Sequence, residues 1–449
     1  MSRAAAASEE SRSILSLNAF DPKADAALEP SLEQLVRRRL ENFGASSVLF
    51  YREPINAVSA RGQFIFSSDG RRYLDFYNNV PSIGHCHPRV AEAVYRQMQM
   101  VNSHSRYLYD VVETYAESLL ATYPPELSRV VFTCTGSEAN DLALRLARCA
   151  SGGHGVVVTR AAYHGNTASV TEVSPSSYKK SAPPDFVRMV DAPDPNSYGD
   201  DLAAGFATAV GKAIDELKAA GHGLACLLVD TIFSSDGVYS DPPGFLAPAV
   251  EKVRTEGGLF VADEVQPGFG RTGAGMWGFA RHGIVPDIVT MGKPMGNGFP
   301  IGGVVSRPGL MEALAEQFGY FNTFGGTPAA AAAGQAVLDV IRDDGLIENA
   351  RAIGQYLREE LATLARGSEV LKEVRGSGLY VGVSVHSAKG GASANDDVAG
   401  RIVNRLRERG VLIGIAGEHA DVLKIRPPLC VTRDDATALV EQLAAVIRE

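Results

Sequence analysis

The 449-residue sequence predicts an α/β fold, a mainly parallel sheet with helices on both faces, and a smaller α+β domain beside it. Three observations predict this. Short apolar runs rich in β-branched residues recur through the middle of the chain, helix-period stretches lie between most of them, and the pattern changes after about residue 325. Strands that are apolar throughout are buried on both faces, and the intervening amphipathic helices supply the cover.

In chain order, MSRAAAASEESRSIL is Ala/Ser-rich and lacks an apolar stretch with a cleavage pattern. It reads as the start of a mobile segment, residues 1–30, and not as a signal peptide. Residues 31–79 belong to the small domain, through strands that GQFIFSSDGRRYLDF (62–76) folds around a turn at SSDG. The large domain spans 80–325. Its strands are RVVFTC (129–134), GVVVT (155–159), CLLVD (226–230), GLFVADE (258–264), DIVTMG (287–292) and GGVVS (302–306). Its helices include SEANDLALRLARCA (137–150) and GFATAVGKAIDELKAAG (205–221). Residues 326–449 complete the small domain. They begin with a helix at TPAAAAAGQAVLDVI, where Thr327 caps and Pro328 takes the first position. A long polar helix, a strand at GLYVGVSV (378–385), a helix ending near Arg409 and strands at VLIGIAG and VLKIR follow. The last helix starts at TRDD, capped by Thr432 with Asp435 three residues on.

The charge balance, 43 basic against 52 acidic residues with no basic stripe, argues against nucleic acid and anionic membrane surfaces as partners. No run approaches the ~18 apolar residues of a membrane span. Five scattered cysteines without a CxxC pair argue against a disulfide framework or structural zinc and for a reducing, cytoplasmic compartment.

In open α/β sheets ligands bind beyond the carboxyl ends of the strands, so the residues there carry the functional information. After 129–134 comes TGSEAN, where Gly136 and Ser137 open a helix whose first N–H groups suit a phosphate; as an ordinary turn, Ser137 would only cap it. After 155–159, AAYHGNT offers Tyr163 and His164, the tyrosine able to stack on a planar ligand. Asp263 and Glu264 end the 258–264 run. Successive strand residues face opposite ways, so only one of these carboxylates can face a given side. Lys293 closes the next strand, just before the glycines and prolines of PMGNGFP. An anion cradle, an aromatic, a carboxylate and a lysine together match pyridoxal phosphate. Its phosphate, ring, ring nitrogen and aldehyde each need one of them. Two other motifs carry less. GFGRTG (268–273) matches GxGxxG but precedes a poor helix start, and GHCHP (84–88) supplies two histidines where a metal site needs more.

With TGSEANDLALRLAR, YHGNT, FVADEVQPGFGRTG, PDIVTMGKPMGNGFPIGGV, FNTFGGTP and GHCHP, the chain resembles the class-III pyridoxal-phosphate aminotransferases from about Val48 onward. NNVPSIGHCHP, NSHSRYL and LKIRPPLC look most like the branch of alanine–glyoxylate aminotransferases and ethanolamine-phosphate phospho-lyases. The resemblance implies a fold-type-I homodimer with the active site at the subunit interface. It makes Lys293 the Schiff-base lysine and pairs Asp263 with the pyridine nitrogen. Gln266 is placed near the ring hydroxyl, Val265 on the ring face opposite Tyr163 with His164 beside it, Gly136 and Ser137 on the phosphate, and Thr323 reaching that phosphate from the partner subunit. Asn79, Arg106, Lys424 and Arg426 are the candidate substrate contacts. The alternation of VLKIR sets Lys424 and Arg426 on one face.

The sequence departs from the commoner pattern of that family at two places. Asp230-Thr231 stands where many members have Glu-Pro, and Lys424 where many have the arginine that grips a carboxylate. The expected activity is amino transfer from an amine or amino acid to a keto acid or aldehyde. The alternative is a lyase that expels phosphate or another β-group and releases ammonia. A non-catalytic scaffold fits poorly with Lys293 and Asp263 both present.

Overall fold

The computed structural model describes residues 17–23, 28–46, 48–179, 181–386 and 397–449. Strands β1 (Ala57–Arg61), β2 (Phe64–Ser67) and β3 (Arg72–Asp75) come first, with β2 and β3 forming the antiparallel hairpin around SSDG. Next come β4 (Arg129–Thr133), β5 (Gly155–Thr159), β6 (Val187–Val190), β7 (Leu224–Asp230), β8 (Leu259–Asp263), β9 (Ile288–Met291) and β10 (Gly302–Ser306). These seven make one sheet in the order β4-β10-β9-β8-β7-β5-β6.

The sheet is mainly parallel. The β5–β6, β5–β7, β7–β8 and β8–β9 pairs are parallel, whereas β10 runs antiparallel to both β9 and β4. Only residues 292–301 link β9 to β10, too few for the crossover of about a dozen residues that a parallel return requires. Strand residues alternate between two cores. Val156, Val158, Leu228 and Val261 pack with Leu142 and Leu146 of the helix Gly136–Ser151. Val157, Leu227, Val229 and Phe260 pack with Phe206, Ile214 and Val250 from the helices Leu202–Ala219 and Ala247–Thr255. Burial on both faces is why these strands carry unbroken apolar runs.

Toward the C-terminus β11 (Leu371–Ser377), β12 (Tyr380–Val385), β13 (Val411–Leu412), β14 (Gly414–Ala416) and β15 (Val422–Ile425) divide between two further sheets. The order β11-β12-β15-β14 is antiparallel throughout, while β13 pairs in parallel with β3. VLIGIAG, expected as one strand, therefore breaks at Ile413 and joins the N-terminal hairpin to the C-terminal segment. The last helix starts with a full capping box between Thr432 and Asp435. Thr327 sits at the N-cap of its helix without a side-chain capping bond, so Pro328 alone supplies the local start signal there.

Of the opening segment expected to be mobile, residues 1–16 and 24–27 lie outside the described residues. Residues 17–20 are docked. Phe20 N donates to Leu49 O at 2.8 Å, Tyr51 N to Asn18 O at 2.9 Å, and Asn404 Nδ2 to Asn18 Oδ1 at 2.9 Å. No helix among the described residues is long and apolar enough to cross a membrane.

Candidate active site

The ends of β4, β5, β7, β8 and β9 open into one cleft of about 370 Å3, lined by Gly136, Ser137, Tyr163, His164, Asp230, Asp263, Val265, Gln266 and Lys293 among others. At the end of β4, Thr135 and not Ser137 is the N-cap, its hydroxyl accepting from Glu138 N at 3.1 Å. The Ser137 side chain therefore lies in the cleft wall, and the amides of Gly136 and Ser137 belong to the helix's first turn, where N–H groups have no carbonyl behind them. A Cβ on Gly136 would meet Val265 Cγ2 at 2.9 Å, and one on Gly165 would meet Ser137 Oγ at 2.5 Å. Both glycines keep the cradle open.

Asp263 and Glu264 diverge as strand alternation requires. Asp263 faces the cleft, its Oδ2 accepting from Asn140 Nδ2 at 3.0 Å and from His164 Nδ1 at 2.7 Å, and its Oδ1 from Val265 N at 3.1 Å. Asn140 is itself fixed. Thr290 Oγ1 donates to its Oδ1 at 2.7 Å, which turns its NH2 toward Asp263 and the His164 carbonyl, 2.7 Å away. Glu264 points away and accepts from Thr231 Oγ1, Gly278 N and Phe279 N, with burial raising its carboxyl to about 7.

Lys293 begins a short 3-10 turn, Lys293–Gly296, at φ +28°, a setting that residues with a side chain avoid. The turn breaks the strand and delivers the side chain to the cleft. Burial, then Arg426, pulls its ammonium down to about 8, against the opposing pull of Asp263 and Asp230. The neutral, nucleophilic amine is therefore more accessible near neutral pH than that of an exposed lysine.

A second cavity of about 170 Å3 adjoins the first and shares Tyr163, Gln266 and Lys293 with it. Its other walls include Leu17, Asn18, Tyr51, Tyr77, Ser235, Lys424 and Arg426. As the alternation of β15 predicts, Lys424 and Arg426 face the same way, and both are buried. Arg426 is already engaged. Its Nη1 donates to Asn79 Oδ1 at 2.9 Å and Gln266 Oε1 at 2.8 Å, and its guanidinium lies 4.6 Å from the Tyr77 ring centroid. Asp230 accepts from Ile232 N, Ser234 N and Ser234 Oγ, and forms no ion pair with Arg426 or Lys424 among the described residues.

Not every expected residue meets here. Asn79 stands behind the cavity wall, donating to Gln266 Oε1 at 2.7 Å, so it orients Gln266 and Arg426. Arg106, read as a substrate contact, lies on the exposed surface with its guanidinium 4.0 Å from the Phe321 ring centroid. Ser105 Oγ donates to Asn322 O at 3.1 Å, tying this loop to the segment that carries Thr323. Thr323 is exposed on that same surface. Asn140 and Thr290 were not singled out in the sequence; the available signal was a polar side chain among Ala139, Leu142 and Ala143 on the buried face of its helix. Leu17 and Asn18, set aside with the mobile segment, carry no such signal.

The cleft fits pyridoxal phosphate. It has a cradle that a Cβ would fill, a carboxylate braced by three donors, and a lysine at the next strand end. Comparison with known proteins agrees. The family model "Aminotransferase class-III" matches residues 50–447. The alanine–glyoxylate aminotransferase 2-like protein of Drosophila melanogaster is 37% identical over 444 residues, covering 94% of this chain and 90% of that protein. An ethanolamine-phosphate phospho-lyase homologue of Caenorhabditis elegans is 33% identical over 438 residues, covering 93% and 94%. Among solved structures, a phospholyase from Arthrobacter in complex with phosphoethanolamine superposes with a TM-score of 0.88 at 41% identity, covering 92% of this chain and 99% of that one.

Proposed function

The chain belongs to the class-III aminotransferases and is a pyridoxal-phosphate-dependent transaminase, and from that premise we propose how its residues act and which substrates it takes. The observation that carries the residue roles is the convergence of Lys293 and Asp263 from adjacent strand ends on the cleft that Gly136 and Ser137 cradle. The bound cofactor supplies an aldehyde that captures amines and a ring that takes up the electrons of a broken Cα–H bond. Lys293 would hold it covalently, and its Nζ, once released by the substrate amine, is placed to take the proton from the substrate Cα. Asp263, oriented by its donors, would hold the ring nitrogen of the cofactor, Tyr163 and Val265 would flank its ring, and Gln266 would stand near its hydroxyl.

The substrate is a primary amine or amino acid, and the second cavity holds its far end. An acceptor keto acid or aldehyde then enters the same space. The test is a single half-reaction. With amine and no acceptor, a transaminase converts once per site, yielding one equivalent of carbonyl product and no ammonia.

One observation favours a second reading. Lys424 and Arg426 line the adjoining cavity while Asp230 makes no carboxylate gate, an arrangement suited to a phosphate or other anion on a small amine. The Arthrobacter phospholyase was solved with such a molecule, phosphoethanolamine. Repeated turnover with release of ammonia and phosphate, with no acceptor added, would establish this lyase.

We further propose a homodimer. The surface carrying Arg106 and Thr323 exposes Tyr107, Leu108 (91%), Phe321 and Phe324 (69%), a patch suited to burial against a second copy. There Thr323 would reach the partner's phosphate cradle. A monomer by analytical ultracentrifugation at micromolar concentration would exclude this. All five cysteines are unpaired, and a cytoplasmic setting is our reading of them, to be checked by fractionation.

A further inference from the structure

Lys424 is 5% exposed, on a strand whose four residues are all buried. Among the described residues its ammonium makes no hydrogen bond and no ion pair within 4 Å, although it lines the second cavity. The charged groups facing it come from three places: Arg426 just past its own strand, Lys293 in the turn after β9, and Asp230 at the end of β7 with Asp236 in the loop that follows. Neither carboxylate is free to serve as its counter-charge. Asp230 is held by Ile232 N, Ser234 N and Ser234 Oγ, and Asp236 by Thr159 Oγ1 at 2.9 Å and Ala161 N at 3.2 Å. Burial raises both, Asp236 to about 7. The remaining titratable walls, Tyr51, Tyr77 and Tyr163, are phenols, and Tyr51 donates its hydrogen to Ile413 O. Gly414 and Ile415 of β14 bring no charge.

An ammonium so placed sheds its proton in preference to bearing the desolvation cost. We propose that Lys424 stands neutral in the resting holoenzyme and takes up a proton together with an anionic substrate, so that one cavity admits both cationic amines and anionic groups. This rests on the second cavity being the substrate's. Burial first, then Arg426 and Lys293, hold the lysine well below its usual range against Asp230 and Asp236, in line with the geometry. An amine substrate arrives as an ammonium, which a fixed charge at 424 would repel and a neutral amine accepts. An anion arriving beside Arg426 supplies the missing counter-charge, and the ammonium becomes the favoured form. The proton comes from solvent. By linkage, anion affinity falls as pH rises above the resting value of Lys424, by up to about tenfold per pH unit.

The test is calorimetric titration of the holoenzyme with sodium sulfate, a dianion whose charge stays fixed between about pH 6 and 9, in two buffers of different ionisation heat. The expected result near pH 8 is uptake of roughly one proton per sulfate bound, beyond any change that visible absorption assigns to the Lys293 linkage. Lys424→Arg, charged throughout, should bind sulfate without that uptake and with a flat pH dependence; Lys424→Met should lose most of the binding. Wild-type binding without uptake, or equal uptake by wild type and Lys424→Arg, overturns the proposal while leaving the anion cavity standing. Failure of sulfate to bind the wild type removes both.

Discussion

The two halves of the active site are built on opposite principles. In the cleft beneath Lys293, polar groups are cross-braced before any ligand arrives. Asp263 has three donors, Asn140 is fixed by Thr290, and Ser137 Oγ accepts from Asn166 N. In the adjoining cavity Lys424 has no hydrogen-bond or ion-pair partner among the described residues, and Arg426 is held by Asn79 and Gln266 while its Nε is buried without one. A resident cofactor rewards donors fixed in advance, because reorganisation is avoided at every turnover. A transient substrate can instead complete a charge balance left open. The two regions share Tyr163, Gln266 and Lys293, so chemistry set up in one acts on whatever the other admits.

The largest effect belongs to the shared lysine. Lys293→Ala should leave the fold intact and lower turnover by roughly four orders of magnitude or more, with no borohydride-reducible cofactor attachment. Wild-type attachment in that variant would remove Lys293 from its role. For Asp263→Asn the cofactor should still attach, while loss of the substrate Cα proton slows by about two to three orders of magnitude, because the ring nitrogen is no longer kept protonated. Stopped-flow measurement separates the two steps; equal slowing of both would make Asp263 merely structural.

These two residues were legible in the sequence because the strand ends that carry them are punctuated. Asp263 closes an apolar run and Lys293 precedes a cluster of glycine and proline. What was not legible depends on tertiary pairing. β6 is a four-residue strand, VRMV, with too little pattern to register, and β11, LKEVRGS, reads as polar because Lys372 and Glu373 are exposed. The reversal of β10 is a matter of link length, invisible to a reading of apolar runs. That Arg106 stands outside the cleft of its own chain was equally illegible, since nothing in NSHSRYL tells that Ser105 bonds to Asn322, 217 positions away.

Asn140 sharpens the comparison, since it is the brace that pattern reading passed over. Asn140→Ala should leave Asp263 Oδ2 with His164 as its remaining donor and deprive Thr290 Oγ1 of its acceptor. Leaving such groups unmet costs about 1–3 kcal/mol, roughly five- to 150-fold in the dissociation constant of pyridoxal phosphate. Equilibrium dialysis of the cofactor reads this directly, and an unchanged constant would mean that His164 and Val265 N hold the carboxylate unaided.

Lys424→Ala probes the unbraced side. The KM for an amine bearing an anionic group should rise roughly tenfold to a hundredfold, the ~1.5–3 kcal/mol of a charged hydrogen bond, while a neutral-tailed amine changes little. A lysine lacks the bidentate fork that matches a carboxylate, so phosphonate, phosphate and carboxylate tails should differ weakly. Equal losses for both amines would assign Lys424 to structure.

The smallest effect tests whether the opening segment belongs to the second cavity at all. Asn18 lines that cavity at φ +57°, its side chain held by Asn404 and its carbonyl by Tyr51 N. Asn18→Gly keeps the left-handed backbone at no steric cost and removes only the side-chain tether, whereas Asn18→Ala would add backbone strain. Loss of one hydrogen bond, about 0.5–1.5 kcal/mol, should loosen the wall enough to raise KM roughly two- to tenfold. Because Asn18 is neutral, anionic and neutral amines should be affected alike, and kcat and cofactor absorption should not move. A rise confined to the anionic amine would instead place Asn18 in contact with the anion. No change for either would mean that residues 17–20 cover the cavity without shaping what enters it.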